Sequence, residues 1–160
     1  MINIGLAITN NEKKFLNYKQ EIKDSIKQNH LINIINVSSE KKLYQHIKDL
    51  NILLTYSINT KYFNKRSNQL KWIQIGNAGV DDSLIEDVIK SKIIITNSRG
   101  INAVPVAEYV INLSLTLLKN IPLMHKETLK KNWPRTSITS RELKGKTIGL
   151  LGFGLIAKKV

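Results

Sequence analysis

Between residues 2 and 96 the chain alternates short apolar runs with longer amphipathic ones, and no other feature restricts its fold as much. The short runs, at residues 2–8, 31–37, 51–56, 70–75 and 93–96, read as five strands. Residues 12–29 carry Phe15, Leu16, Tyr18, Ile22 and Ile26 at three- and four-residue spacing, which makes one face of an amphipathic helix. Ser38-Ser39-Glu40 reads as the N-terminal cap of a second helix bearing Leu43, Tyr44, Ile47 and Leu50. Residues 60–68 give a helical turn or two around Tyr62 and Phe63, and residues 81–91 a helix with Leu84, Ile85, Val88 and Ile89 inward. Strands alternating with helices predict an α/β fold with a parallel, doubly wound sheet. Such sheets bind ligands outside the carboxyl ends of their strands, which directs attention to the loops after the fourth and fifth strands.

The first of these loops is Gly76-Asn77-Ala78-Gly79-Val80-Asp81-Asp82. Its small residues expose consecutive backbone N–H groups before a helix, an arrangement suited to a small carboxylate or phosphate. An ordinary turn with Asp81 as a helix cap explains the same residues equally well. The second loop, Asn97 to Asn102, enters a long helix through a candidate N-cap, Asn102, and Pro105 in the first turn. Val106, Tyr109, Val110, Leu113 and Leu117 form one apolar stripe on that helix, and Ile111, Leu115 and Leu118 another. Only Glu108, Asn112 and Thr116 separate them. A helix apolar on nearly all sides packs between domains, against a second subunit, or at the centre of a core.

Beyond Ile121-Pro122 the pattern loosens. Residues 124–131 can form a short basic helix, Trp133-Pro134 an apolar anchor and breaker, and residues 135–140 a polar loop. Residues 147–151 then read as a buried strand, and Gly152-Phe153-Gly154-Leu155-Ile156-Ala157 gives G-x-G-x-x-A before a helical turn. In a dinucleotide-binding turn, Gly152 allows the tight bend and Gly154 lets backbone approach a pyrophosphate. Ala157 is small enough for close helix–strand packing. Glycine turns also occur for structural reasons alone, and the acidic residue expected about 20 positions further on would fall past Val160.

Composition removes several classes. The 160 residues include no cysteine, so disulfides and thiolate chemistry are absent, and His30, His46 and His125 do not have metal-ligand spacing. No apolar run reaches the ~18 residues of a membrane helix, and a soluble cytoplasmic protein is the expectation. The net charge of +13 raises nucleic acid as a partner. Lysine supplies 21 of the 25 basic residues, spread along the chain, while arginine and aromatics, which read and stack on bases, are sparse. Isoleucine, asparagine and lysine are over-used together, which fits compositional drift and a solvated basic surface.

Taken in order, Gly76-Asn-Ala-Gly-Val-Asp81, Thr96-Asn-Ser-Arg-Gly100, Val106-Ala-Glu108, Trp133 and the stretch from Leu143 to Gly154 resemble a known family. It is the NAD(P)-dependent D-isomer-specific 2-hydroxyacid dehydrogenases, a group that includes glyoxylate/hydroxypyruvate reductases. The resemblance covers nearly the whole chain and is densest from Trp72 onward. It implies a flavodoxin-like substrate domain over residues 1–100 and an interdomain and dimer-contact helix over 101–121. Residues 122–160 would then enter an incomplete Rossmann domain, with its first strand and turn. It also implies that Asn77, Ala78 and Gly79 give N–H groups to a substrate carboxylate, and that Val104 borders the nicotinamide. Gly152, Gly154, Leu155, Ile156 and Ala157 would cradle the pyrophosphate of NAD or NADP. Ala157 stands where glycine is commoner. The family's catalytic arginine, histidine and carboxylate would lie beyond Val160, and Arg99, Arg135, Arg141, Glu108 and His125 do not match their positions. The chain is therefore expected to be the N-terminal portion of a dimeric hydride-transferring oxidoreductase, inactive alone, with a small 2-oxo or 2-hydroxy acid as substrate. The alternatives are a non-catalytic module that binds a small acid or a partner, and, last, a nucleic-acid binder.

Overall fold

The computed structural model describes residues 1–27, 31–134 and 136–160. Gln28 and Asn29, at the end of the first expected helix, lie outside the described residues, as do His30 and Arg135. The chain divides into two compact units, Met1–Arg99 and Gly100–Val160.

The first unit is built on five parallel strands: β1 (Ile2–Ala7), β2 (Ile32–Asn36), β3 (Ile52–Thr55), β4 (Trp72–Ile75) and β5 (Ile94–Thr96). Their spatial order is β2-β1-β3-β4-β5, a parallel doubly wound sheet as the alternating pattern predicts, in the flavodoxin-like order that the family resemblance implies. Register is set by apolar alternation. Ile4 pairs with Ile34 and Ile52, and Leu53 with Ile73, so like faces line up across the sheet. Helices α1 (Glu12–Ser25), α2 (Glu40–His46), α3 (Thr60–Phe63) and α4 (Glu86–Ile89) link the strands. One face gathers Leu53, Ile73 and Ile75 with Leu43 of α2, Ile47 just after it, Phe63 of α3 and Val88 of α4. The other gathers Ile4, Leu6 and Ile34 with Phe15 of α1. At Gly5 a Cβ would lie 2.5 Å from Leu50, a side chain with no exposure, so the segment between α2 and β3 packs on β1 at a distance that only glycine allows.

Local capping follows the sequence in part. Asn11 accepts the Lys14 N–H at the start of α1, and Ser39 accepts the Lys42 N–H at the start of α2, as expected of Ser38-Ser39-Glu40. The apolar face of α1 is narrower than its spacing suggests. Phe15 is buried, but Leu16 is 54% exposed and Tyr18 also reaches solvent. The helix expected over residues 81–91 is broken. A 3₁₀ turn at Asp81–Ser83 gives way to extended backbone at Ile85 before α4 begins. Asp81 makes no side-chain cap bond; Leu84 and Ile89 are exposed, and Val88 alone of the four expected inward residues is buried. The break coincides with Ser83, whose buried hydroxyl accepts the Ile58 N–H at 3.2 Å.

The second unit holds α5 (Ala103–Leu118) and α6 (Ile121–Leu129). Asn102 sits at the N-cap position of α5, but its side chain caps nothing; its carbonyl accepts the Val106 N–H. Along α5 only Ala103 and Ala107 are buried, while Tyr109 and Leu117 are 61% and 73% exposed. A central core helix is thus ruled out for this chain. The left-handed Asn120 separates the helices, and Pro122 falls in the first turn of α6, which accounts for a helix starting earlier than residue 124. Trp133, read as an apolar anchor, is instead 80% exposed.

The end of α6 is held by Glu127, whose carboxylate accepts from Lys130 Nζ and Asn132 Nδ2, both at 2.7 Å. These two bonds hold its carboxyl below the usual carboxylate range. A depressed folded-state pKa means the contribution is complete above that range and is lost as pH falls through it. Acidification should therefore loosen the Glu127–Asn132 turn before the sheet, and amide NMR signals of Lys130 and Asn132 should report it. Glu127→Gln should show the loosened turn at neutral pH; a turn indifferent to pH would contradict the assignment.

Residues 147–151 form no strand. They are exposed, and among the described residues no strand pairs with them. Their apolar pattern suits a buried strand, but a strand needs a neighbour to take its N–H and C=O groups, and without one water takes them. The first Rossmann strand expected here is accordingly not formed. The turn that follows it is present: Gly152 has φ +90, and Lys158 and Val160 donate their N–H groups to Gly154 and Ile156 in one helical turn. The segment leans on the α5 end of its unit, with Leu155 within contact of Gly100 and Lys159 beside Val104 and Ala107.

Candidate functional site

The carboxyl ends of β4 and β5 bring residues 76–79 and 97–98 together. Gly76 donates its N–H to Thr55 at 2.8 Å, continuing the sheet, and the ring of Tyr56 lies so close that a Cβ at residue 76 would be 2.8 Å from it. Asn77 Nδ2 donates to the Tyr56 carbonyl at 3.0 Å, which pins the loop to the end of β3. From β5, the Ser98 N–H donates to the Asn77 carbonyl at 3.0 Å, and Asn97 Nδ2 donates to the Ala78 carbonyl at 2.8 Å. The Ser98 hydroxyl donates to the Ile75 carbonyl at 3.1 Å and lies 3.3 Å from Gln74 Nε2. Among the described residues nothing accepts from the N–H groups of Asn77, Ala78 or Gly79, and all three residues are exposed. The Asp81 carboxylate lies beside Gly79, with one oxygen 3.8 Å from where a Cβ would sit, and no other atom comes within 4 Å of that point. The loop is thus a small, open cluster of backbone donors, which can take an anion.

The sequence located this loop. It did not assign roles to Tyr56, Asn97 or Ser98, which hold it in shape. Their signal was available only in the sheet order, because β4 beside β5 makes consecutive strand-end loops neighbours.

The other expected site residues lie in the second unit. Val104 is 49% exposed in the first turn of α5, bordering a shallow hollow of about 490 Å³ with Glu108 and Ile111. Gly152 takes the positive φ that a side chain disfavours, and a Cβ at Gly154 would meet nothing within 4 Å, so backbone there is open to a pyrophosphate. Leu155 and Ile156 are partly exposed and Ala157 half-buried. Residues of this turn fit a dinucleotide phosphate group by conformation and access, although the strand that would present it is absent. Among the described residues no three His, Asp or Glu side chains gather as a metal site, and no helix is long and apolar enough to cross a membrane.

Comparison with known proteins gives consistent results. The D-3-phosphoglycerate dehydrogenase of Methanocaldococcus jannaschii is 30% identical over 124 residues, 76% of this chain and 24% of that protein. A D-isomer specific 2-hydroxyacid dehydrogenase family protein from Aeromonas salmonicida superposes with a TM-score of 0.77 at 25% identity, covering 97% of this chain and 47% of that one. The NAD-dependent formate dehydrogenase of Staphylococcus aureus, solved with NAD, shares the fold at a TM-score of 0.70 and 22% identity, over 99% of this chain and 51% of that one. The chain therefore spans about a quarter of the first relative and about half of the two solved structures. Residues 7–148 match the family model for the D-isomer specific 2-hydroxyacid dehydrogenase catalytic domain. That match takes in β2 to β5 and the donor loop at the carboxyl end of β4, and by it the chain belongs to the D-isomer specific 2-hydroxyacid dehydrogenase family.

Proposed function

We propose that the chain is the substrate-domain portion of an oxidoreductase that moves hydride between NAD(P)(H) and a D-2-hydroxy acid or the matching 2-oxo acid. The observation that carries this reading is the open donor loop at the end of β4, in a chain of this family. Asn77, Ala78 and Gly79 receive the substrate carboxylate through backbone N–H groups, which leaves its oxo or hydroxyl carbon facing outward from the sheet. Residues 1–100 make the substrate domain, residues 101–121 an interdomain and dimer-contact helix, and residues 122–160 the entry to the cofactor domain. Gly152, Gly154, Leu155, Ile156 and Ala157 hold the pyrophosphate, Val104 borders the nicotinamide, and the bound cofactor supplies or accepts the hydride.

The exposed apolar stripes of α5 support a homodimer of the whole enzyme. A cytoplasmic setting follows from small-acid metabolism with a nicotinamide cofactor, and neither nucleic acid nor membrane enters the scheme. The names of the relatives are those of enzymes, which gives no support to a non-catalytic module.

The reaction also needs a cation to polarise the carbonyl and a proton carrier, and no residue of these 160 matches the family's arginine–histidine pair. The 160-residue chain should therefore show no NADH-dependent reduction of glyoxylate or hydroxypyruvate above buffer, followed at the NADH absorbance. Turnover by this chain would contradict the assignment of the catalytic groups to other residues. Calorimetry with glyoxylate tests the loop directly: saturable binding supports the reading, and none at millimolar ligand counts against it.

A further inference from the structure

Resting on the reading of residues 77–79 as a carboxylate site, we propose that Asn97 is the positioning residue that aims its donors, with the Ser98 N–H as its partner. A trans peptide is planar, so the C=O of one residue and the N–H of the next point in opposite directions. The Asn77 carbonyl is turned towards β5 by the Ser98 N–H, and the Ala78 carbonyl by Asn97 Nδ2. The N–H groups of Ala78 and Gly79 share those two peptide planes and so point the other way, off the sheet, where nothing in the described chain accepts from them. Two successive N–H groups facing one way form the concavity that an anion requires. Glycine at residue 79 gives the Ala78–Gly79 plane little preference of its own, so its orientation depends on what holds the Ala78 carbonyl. The Ala78 plane is fixed by a single side chain, Asn97, which also accepts the Arg99 N–H through Oδ1 at 3.3 Å. Asn97 touches no substrate in this scheme. It acts through the carbonyl of Ala78.

The test is a ¹H–¹⁵N NMR titration of the chain with glyoxylate, following the amides of Ala78 and Gly79. In the unsubstituted chain both should shift and saturate together. Asn97→Ala should move the Gly79 amide even without ligand and weaken glyoxylate about tenfold. Amides of Leu53 and Ile73 in the sheet should stay in place. Asn97→Asp keeps the shape and the bond to Arg99 but has no donor for Ala78, and it should bind as poorly as Asn97→Ala. Leu16→Ala, at an exposed position on α1 away from the loop, should stay within about twofold. Full affinity in Asn97→Asp would mean that the Arg99 contact matters and would overturn the proposal, as would a tenfold loss in Leu16→Ala, which would signify general loosening. Unchanged binding by Asn97→Ala, with Gly79 still responding, removes the positioning role and leaves the site. Failure of glyoxylate to shift either amide in the unsubstituted chain removes the site and the positioning role together.

Discussion

Phe63→Ala should destabilise the chain by about 3–5 kcal/mol, enough to unfold much of the first unit in mild denaturant. Phe63 is 2% exposed and belongs to the cluster that joins α2, α3 and α4 to the strands. Its α3 is only four residues long, so hydrogen bonding within the helix contributes little and the ring holds this connection to the sheet. The guanidinium of Arg66 stacks 3.7 Å from the ring centroid and its Nη1 donates to the Phe63 carbonyl at 2.8 Å, so truncation also removes a cation–π platform. Leu16→Ala is the comparison: at 54% exposure it should stay within about 0.5 kcal/mol, although the α1 pattern alone ranks Leu16 with Phe15. Urea unfolding followed by far-UV circular dichroism measures both. Similar losses from the two substitutions would show that the burial described for α1 and α3 is wrong.

Ser83→Ala should cost about 1–3 kcal/mol, a large effect for the loss of one oxygen. The Ile58 N–H is buried, and the Ser83 hydroxyl is its acceptor. Alanine fills nearly the same space but leaves that N–H unpaired away from water, which is the expensive half of breaking a hydrogen bond. Asp81→Ala, two residues earlier, should change stability by less than about 0.5 kcal/mol, because its carboxylate caps nothing. Sequence logic orders the two the other way, since Asp before a helical pattern is a strong N-cap signal and a serine inside one is not. Equilibrium unfolding of the pair decides between them: a cost near 1 kcal/mol for Asp81→Ala with none for Ser83→Ala would restore the helix over residues 81–91.

Elements buried on both sides were legible before any coordinates. A strand such as Leu53 with its neighbours is apolar at successive positions because helices cover both faces of that part of the sheet, and composition records this directly. The cap at Ser39 works within three residues, so it too can be read locally. The position of the donor loop followed from the rule that parallel sheets bind ligands at their carboxyl ends. Its orientation did not, because the bonds that fix it join Asn97 to Ala78 and Ser98 to Asn77 across a strand-to-strand contact.

The sequence by itself determined the five strand segments of the first unit, their alternation with helices and the two glycine-bearing turns, since each is marked by residues near one another along the chain. Tertiary structure decided which apolar residues are covered and which polar groups are served. Leu16, Leu84 and Ile89 carry helix-face spacing yet face solvent, because a surface is buried only where another element reaches it. Residues 147–151 make the same point for backbone. Their pattern is that of a strand, but a strand is a relation between two segments, and no strand pairs with this one among the described residues.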